Sequence, residues 1–100
     1  MTSKIFNINN LIKKIDTLKK KRKKIVLCHG VFDVLHFGHI KHFEDAKLKG
    51  DILVVSVTPD EFVNKGPSRP VFSLNIRMNT IAALGIVDFV VPNTKPDPIN

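Results

Sequence analysis

Three short runs rich in apolar and β-branched residues set the firmest limit on what this chain can become. They lie at residues 25–28 (IVLC), 52–57 (ILVVSV) and 88–91 (DFVV). Runs of this length without apolar–polar alternation predict strands buried on both faces, as in a parallel sheet. Between them the period changes. Phe37, Ile40, Phe43 and Leu48 fall near one side of a helix over 38–49, with Gly50 as its stop. Leu74, Ile76, Ile81 and Leu84 mark a helix over 73–84 that opens on Ser73, a good N-cap. Ahead of the first run, Leu11, Ile12, Ile15 and Leu18 predict an amphipathic helix over 10–23. A turn or short helix is expected at 59–62, and loops at 64–72 and in the tail NTKPDPIN.

Strands alternating with helices predict the α/β class, a parallel sheet joined by right-handed crossovers with helices on both faces. The chain divides into a basic N-terminal amphipathic helix over 1–23 and a main domain over 24–100. Three strands are few for such a sheet, which typically carries about five or more. The C-terminal part of the domain is therefore expected to be missing.

Composition narrows the setting. No apolar run approaches the ~18–20 residues of a membrane span, and the N-terminus MTSKIFNINN has no signal-peptide pattern. The single Cys28 cannot form an intrachain disulfide, and as a strand residue it reads as core. A reducing cytoplasm is the expected location, with no membrane partner. The 16 Lys and Arg against 9 Asp and Glu leave a net charge of +7. Lys13, Lys14, Lys19, Lys20, Lys21, Arg22, Lys23 and Lys24 precede the first strand. Such a block can meet a polyanion. Lys makes up 13 of the 16 cations, so a solvated helix face is the reading preferred here.

Ligands of open parallel sheets bind at the carboxyl ends of the strands. The segment there is HGVFDVLHFGH, His29 to His39. Gly30 ends the strand and allows close backbone approach to a ligand. Gly38 sits between two histidines at a helix start, where backbone N–H groups attract phosphate. His36 and His39 are three apart, so both can face one anion and donate to it. Lys47 falls in the helix's apolar stripe, about 12 Å along the axis from His39. It either snorkels or leans toward a site. Each residue also has a plainer reading. Asp33 can be a helix cap, His29 structural, and Arg69 and Arg77 solvent-exposed. His36, His39 and His42 could take a metal, but no Cys or carboxylate completes a zinc set, so no metal site is expected.

GVFDVLHFGH, with its Gly-x-Phe-Asp and His-x-Gly-His elements, resembles the signature of the cytidylyltransferase-like nucleotidyltransferases. GDILVVSVTPDEF and SRPVFSLNIRMNTIAALGIVDFVV resemble the family's second strand and its Arg-containing helix and Val-Asp strand. The likeness covers about residues 24–92. The Lys-Gly…Ser-Arg-Pro-Val loop resembles that of the adenylyltransferase domain of bifunctional heptose-phosphate kinase/adenylyltransferase enzymes, with glycerol-3-phosphate cytidylyltransferase as the next type. The family's Ser-Thr-Thr-like and Lys-Gly-x-Asp/Glu-Tyr-like segments are not found.

The resemblance implies a Rossmann-like, nucleotide-binding fold and a nucleotidyltransferase that moves CMP or AMP from CTP or ATP to a sugar phosphate or phospho-polyol. It implies His36, His39 and Lys47 as catalytic residues. Gly30, Val31, Phe32, Asp33, Gly38 and Asp88 would hold the nucleotide, and Asp60 and Arg77 the substrate. It further implies Mg²⁺ as cofactor, a homodimer, and fusion to or association with a sugar kinase. Two other functions stay open: a nucleotide-binding scaffold without turnover, and a nucleic-acid-binding protein using the Lys-rich helix.

Overall fold

Residues 52–57 become the central strand because almost none of their side chains can face water. The computed structural model describes residues 4–63 and 69–93. In it β2 (Ile52–Val57) is flanked by β1 (Ile25–Gly30) and β3 (Phe89–Pro92), all parallel, in the order β1-β2-β3. Ile25 stands opposite Ile52, and Val54 opposite Phe89. Side chains alternate across the pleat, so β2 feeds two cores. Leu53, Val55 and Val57 pack with Phe43 and Ala46 of α2 (Phe37–Lys47) and Met78, Ile81 and Ala82 of α3 (Leu74–Ala82). Val54 packs on the other face with Val91 and with Leu11 of α1 (Ile8–Lys20). Each fully buried Val or Leu contributes about 1.5–3 kcal/mol. This is the expected Rossmann-like arrangement, a parallel sheet with helices on both faces.

The N-terminal segment is more tightly joined to the sheet than its sequence predicts. Ile5 forms a parallel bridge with Val90, and the Phe6 N–H donates to the Val90 carbonyl at 2.9 Å. α1 starts at Ile8, earlier than expected, because the Asn7 side chain accepts from the Asn10 N–H at 2.8 Å. It ends at Lys20, earlier than expected. Arg22 turns left-handed (φ 62°), and the N–H groups of Arg22 and Lys23 close back on the carbonyls of Lys19 and Leu18. That paired closure satisfies carbonyls the last turn would leave open.

Two apolar stripes are narrower than their periodicity predicts. On α2, Phe43 and Ala46 are buried, whereas Phe37 and Leu48 are exposed. On α3, Ile76 is half exposed and Arg77 is buried. A short 3-10 turn at Asp60–Phe62 fills the place predicted for one. The predicted loop at Gly66 and Pro67 and the tail from residue 94 lie outside the described residues.

Candidate functional site

The chain leaves β1 at Gly30 and enters α2 at Phe37, which places residues 31–36 at the carboxyl end of the sheet. His36 is the N-cap of α2, and its Nδ1 accepts from the Gly38 N–H at 3.0 Å. His39 reaches back, and its Nδ1 accepts from the His36 N–H at 3.3 Å. The two rings lie 4.1 Å apart, centroid to centroid, tilted by 33°. A backbone N–H can only donate, so each Nδ1 is an acceptor and each ring proton sits on Nε2. Two neighbouring rings, each with Nε2–H as its donor, therefore stand at the positive end of a helix dipole. This pair can bind an anion by donation from its ring N–H groups.

Both glycines of the segment make room for protein. A Cβ on Gly38 would lie 2.7 Å from His36 Cε1, and one on Gly30 would lie 2.8 Å from Phe32 Cζ. A neighbouring ring, Phe32 beside Gly30 and His36 beside Gly38, is thus one reason each position lacks a side chain, next to the close ligand approach that the sequence suggested.

Asp33 was expected to cap a helix or to help hold the nucleotide. Its carboxylate instead accepts from the N–H groups of Val71 (2.8 Å) and Phe72 (3.0 Å) and from Arg69 (3.2 Å). Burial would raise this carboxyl, but the Phe72 and Val71 N–H groups and the charge and hydrogen bond of Arg69 outweigh it. They hold Asp33 below the ordinary carboxylate value. It fastens the segment before α3 to the histidine loop.

A family model described as cytidylyltransferase-like matches residues 27–99. The chain belongs to the cytidylyltransferase-like family. The bifunctional protein HldE of Pseudomonas putida (strain GB-1) is 39% identical over 98 residues, 96% of this chain and 21% of that protein. HldE of Actinobacillus pleuropneumoniae serotype 5b (strain L20) is 42% identical over 92 residues, 90% of this chain and 19% of that protein. The chain thus spans about a fifth of the length of these curated relatives. The crystal structure of the lipopolysaccharide core biosynthesis protein from Thermoplasma volcanium GSS1 matches with a TM-score of 0.69 and 36% identity. The match covers 75% of this chain and 62% of that one.

In this cytidylyltransferase-like chain, four expected site residues take other duties. Lys47 and Asp88 lie at the opposite end of the sheet from the histidines. Lys47 Nζ donates to Asp88 Oδ2 and to the Asp51 carbonyl, while Asp88 Oδ2 also accepts from the Leu53 N–H at the start of β2. The helix runs antiparallel to the strands, so its last turn cannot reach what its first turn holds. A catalytic Lys47 and a nucleotide-binding Asp88 are corrected to a clamp between α2, β2 and β3. Arg77 was expected to touch substrate or solvent, yet its side chain is 0% exposed. It donates to the carbonyls of Phe72 (2.9 Å), Val31 (2.8 Å) and Thr58 (2.7 Å) and to Asp60. Arg77 and Asp60 thereby tie together the histidine loop, the end of β2 and the start of α3.

His29 shares a hydrogen bond of 3.2 Å with Ser56, a structural contact as its plainer reading expected. Burial pushes the Cys28 thiol up, more than the Lys49 charge lowers it, which suits a core residue. Among the described residues, no group of three or more His, Cys, Asp or Glu is placed to hold a metal ion. No helix among them is long and apolar enough to cross a membrane. Mg²⁺ requires hard oxygen ligands. The described site presents imidazoles, and Asp33 is taken up by three donors, so these residues do not form a magnesium cage.

Proposed function

We propose that this chain carries out nucleotidyl transfer, moving AMP or CMP from ATP or CTP to a sugar phosphate or phospho-polyol. The observation that carries the reading is the His36–His39 pair, 4.1 Å apart at the N-terminus of α2 with both Nδ1 atoms held by backbone N–H groups. A phosphate oxygen of the acceptor attacks the α-phosphorus, the bond to the bridging oxygen breaks, and pyrophosphate leaves with the electron pair. The acceptor oxygen is already nucleophilic, so no protein nucleophile is needed. The protein's part is to position the groups and stabilise charge. The Nε2–H donors would meet the charge that grows on the α-phosphate and the leaving group.

The likeness of the loop to adenylyltransferase domains of bifunctional heptose enzymes supports ATP and a sugar phosphate. Relatives named as bifunctional support a sugar-kinase partner. Homodimer assembly and cytoplasmic residence belong to the same proposal. Any Mg²⁺ would come coordinated by the nucleotide's own phosphates, and no step here runs through it.

Pyrophosphate release, screened with ATP and CTP against phosphorylated sugars and polyols, tests the reading. Removing one such donor costs about 2.7–4 kcal/mol of transition-state stabilisation. His39→Ala is expected to lower turnover at least about a hundredfold with an unchanged circular dichroism spectrum. Near-normal turnover would refute the assignment, and nucleotide binding without pyrophosphate release would point to a scaffold.

A further inference from the structure

We propose that the Phe32 ring is a positioning residue for His39, braced in place by the absence of a side chain at Gly30. The inference rests on the nucleotidyl-transfer reading for its kinetic consequence and stands on geometry alone for its structural one. The sequence places Phe32 in a backbone cradle for nucleotide. The side chain points to a different task.

Phe32 is one of two non-glycine residues with positive φ among the described residues, at 51°. A phenylalanine pays a steric penalty in that region, so the fold must gain something by keeping it there. The left-handed turn folds the ring inward, and it is buried. The ring meets three groups. It occupies the space beside Gly30, where a Cβ would lie 2.8 Å from Cζ. It meets Phe43 of α2 at 5.2 Å and 60°. It meets the His39 imidazole at 5.6 Å and 81°, an edge contact.

His39 is thus held by the His36 N–H on its Nδ1, by the His36 ring and by the Phe32 ring. His36 is more exposed, and its ring contact among the described residues is with His39. A filler for the core could be any apolar side chain at ordinary φ. The strained backbone, the vacant Cβ at Gly30 and the edge contact are explained together if the ring sets the orientation of His39. A hydrogen-bonding donor is useful only while its Nε2–H points at the developing charge, so a wobbling ring loses rate more than affinity.

The test uses the intact protein with Phe32→Leu, Gly30→Ala and the double variant. Imidazole ¹⁵N spectra give the first readout and need no activity. Wild-type His39 is expected to show one Nε2–H tautomer, and Phe32→Leu to show averaged Nδ1 and Nε2 shifts with His36 unchanged. Kinetics give the second. Phe32→Leu should lower kcat about tenfold or more while nucleotide KM stays within about twofold. Gly30→Ala should do the same by displacing the ring. It should add little in the Phe32→Leu background, where the ring is gone, and that coupling is not expected of two independent losses of stability. Should either variant fail to fold, Phe32→Met supplies the same spectral comparison. A wild-type tautomer signature in Phe32→Leu or Phe32→Met, or unchanged kcat beside a His39→Ala loss, overturns the positioning role alone. If His39→Ala itself keeps turnover, the nucleotidyl-transfer reading fails, and the spectra still decide the role of Phe32.

Discussion

Asp33 commits both carboxylate oxygens to the segment before α3, and acid should release them. Its folded-state carboxyl titrates below the ordinary value, so its stabilisation is fully present above the unfolded carboxyl value near ~3.9. The stabilisation is lost as pH falls through the lower folded value. Asp33→Asn cannot titrate, so its melting temperature should lie below that of the wild type at pH 7. The gap should close on acidification below about pH 4, as followed by thermal melts across pH. Lys47 offers a second test at this scale, because sequence and structure disagree over it. Lys47→Met should leave kcat within about twofold and cost about 1 kcal/mol of stability, read by urea titration beside steady-state rates. A hundredfold loss of kcat would restore it to the reaction.

Each element ends where a side chain or a backbone turn satisfies its open groups, and α1 shows the cost of one such ending. Arg22 closes the helix with φ 62°, a position where glycine is free of the Cβ clash. Arg22→Gly should therefore raise stability by about 0.5 kcal/mol, the relief from the clash exceeding glycine's extra entropy in the unfolded chain. The melting temperature checks this, and a clear fall would contradict the closure. Helix α2 is bounded differently. Its N-terminus is capped by the candidate site itself, since the two imidazoles proposed to meet phosphate also satisfy backbone N–H groups through Nδ1. Local stability and the proposed chemistry share the same atoms.

At the scale of the molecule, the N-terminal helix and the sheet behave as one body. Leu11 is buried with Val54 and Val91, and Ile5 and Phe6 are tied to Val90. Leu11→Ala should cost about 2–4 kcal/mol and move the whole denaturation curve. If α1 were a separate appendage, sheet and helix would respond apart, with a near-normal main transition. The lysines of α1 point the other way, and all of Lys13, Lys14, Lys19 and Lys20 are exposed. Both a solvated face and a polyanion contact require such exposure.

The α/β class, the three strands and the pairing of His36 with His39 were legible from the chain alone. Periodicity and helical spacing are local properties, and a three-residue step at a helix start brings two rings together whatever packs around them. The burial of Arg77 was not legible, because a charged residue defaults to water. Only the convergence of the Phe72, Val31 and Thr58 carbonyls, from three separate segments, satisfies its donors inside. Lys47 and Asp88 were misplaced for a related reason. Sequence patterns locate a residue on its helix or strand, but which end of the sheet it serves depends on the antiparallel packing of α2 against the strands. The tertiary structure alone also supplied one reason why Gly30 and Gly38 are glycines. The rings that occupy the space beside them arrive by backbone turns whose direction no apolar pattern encodes.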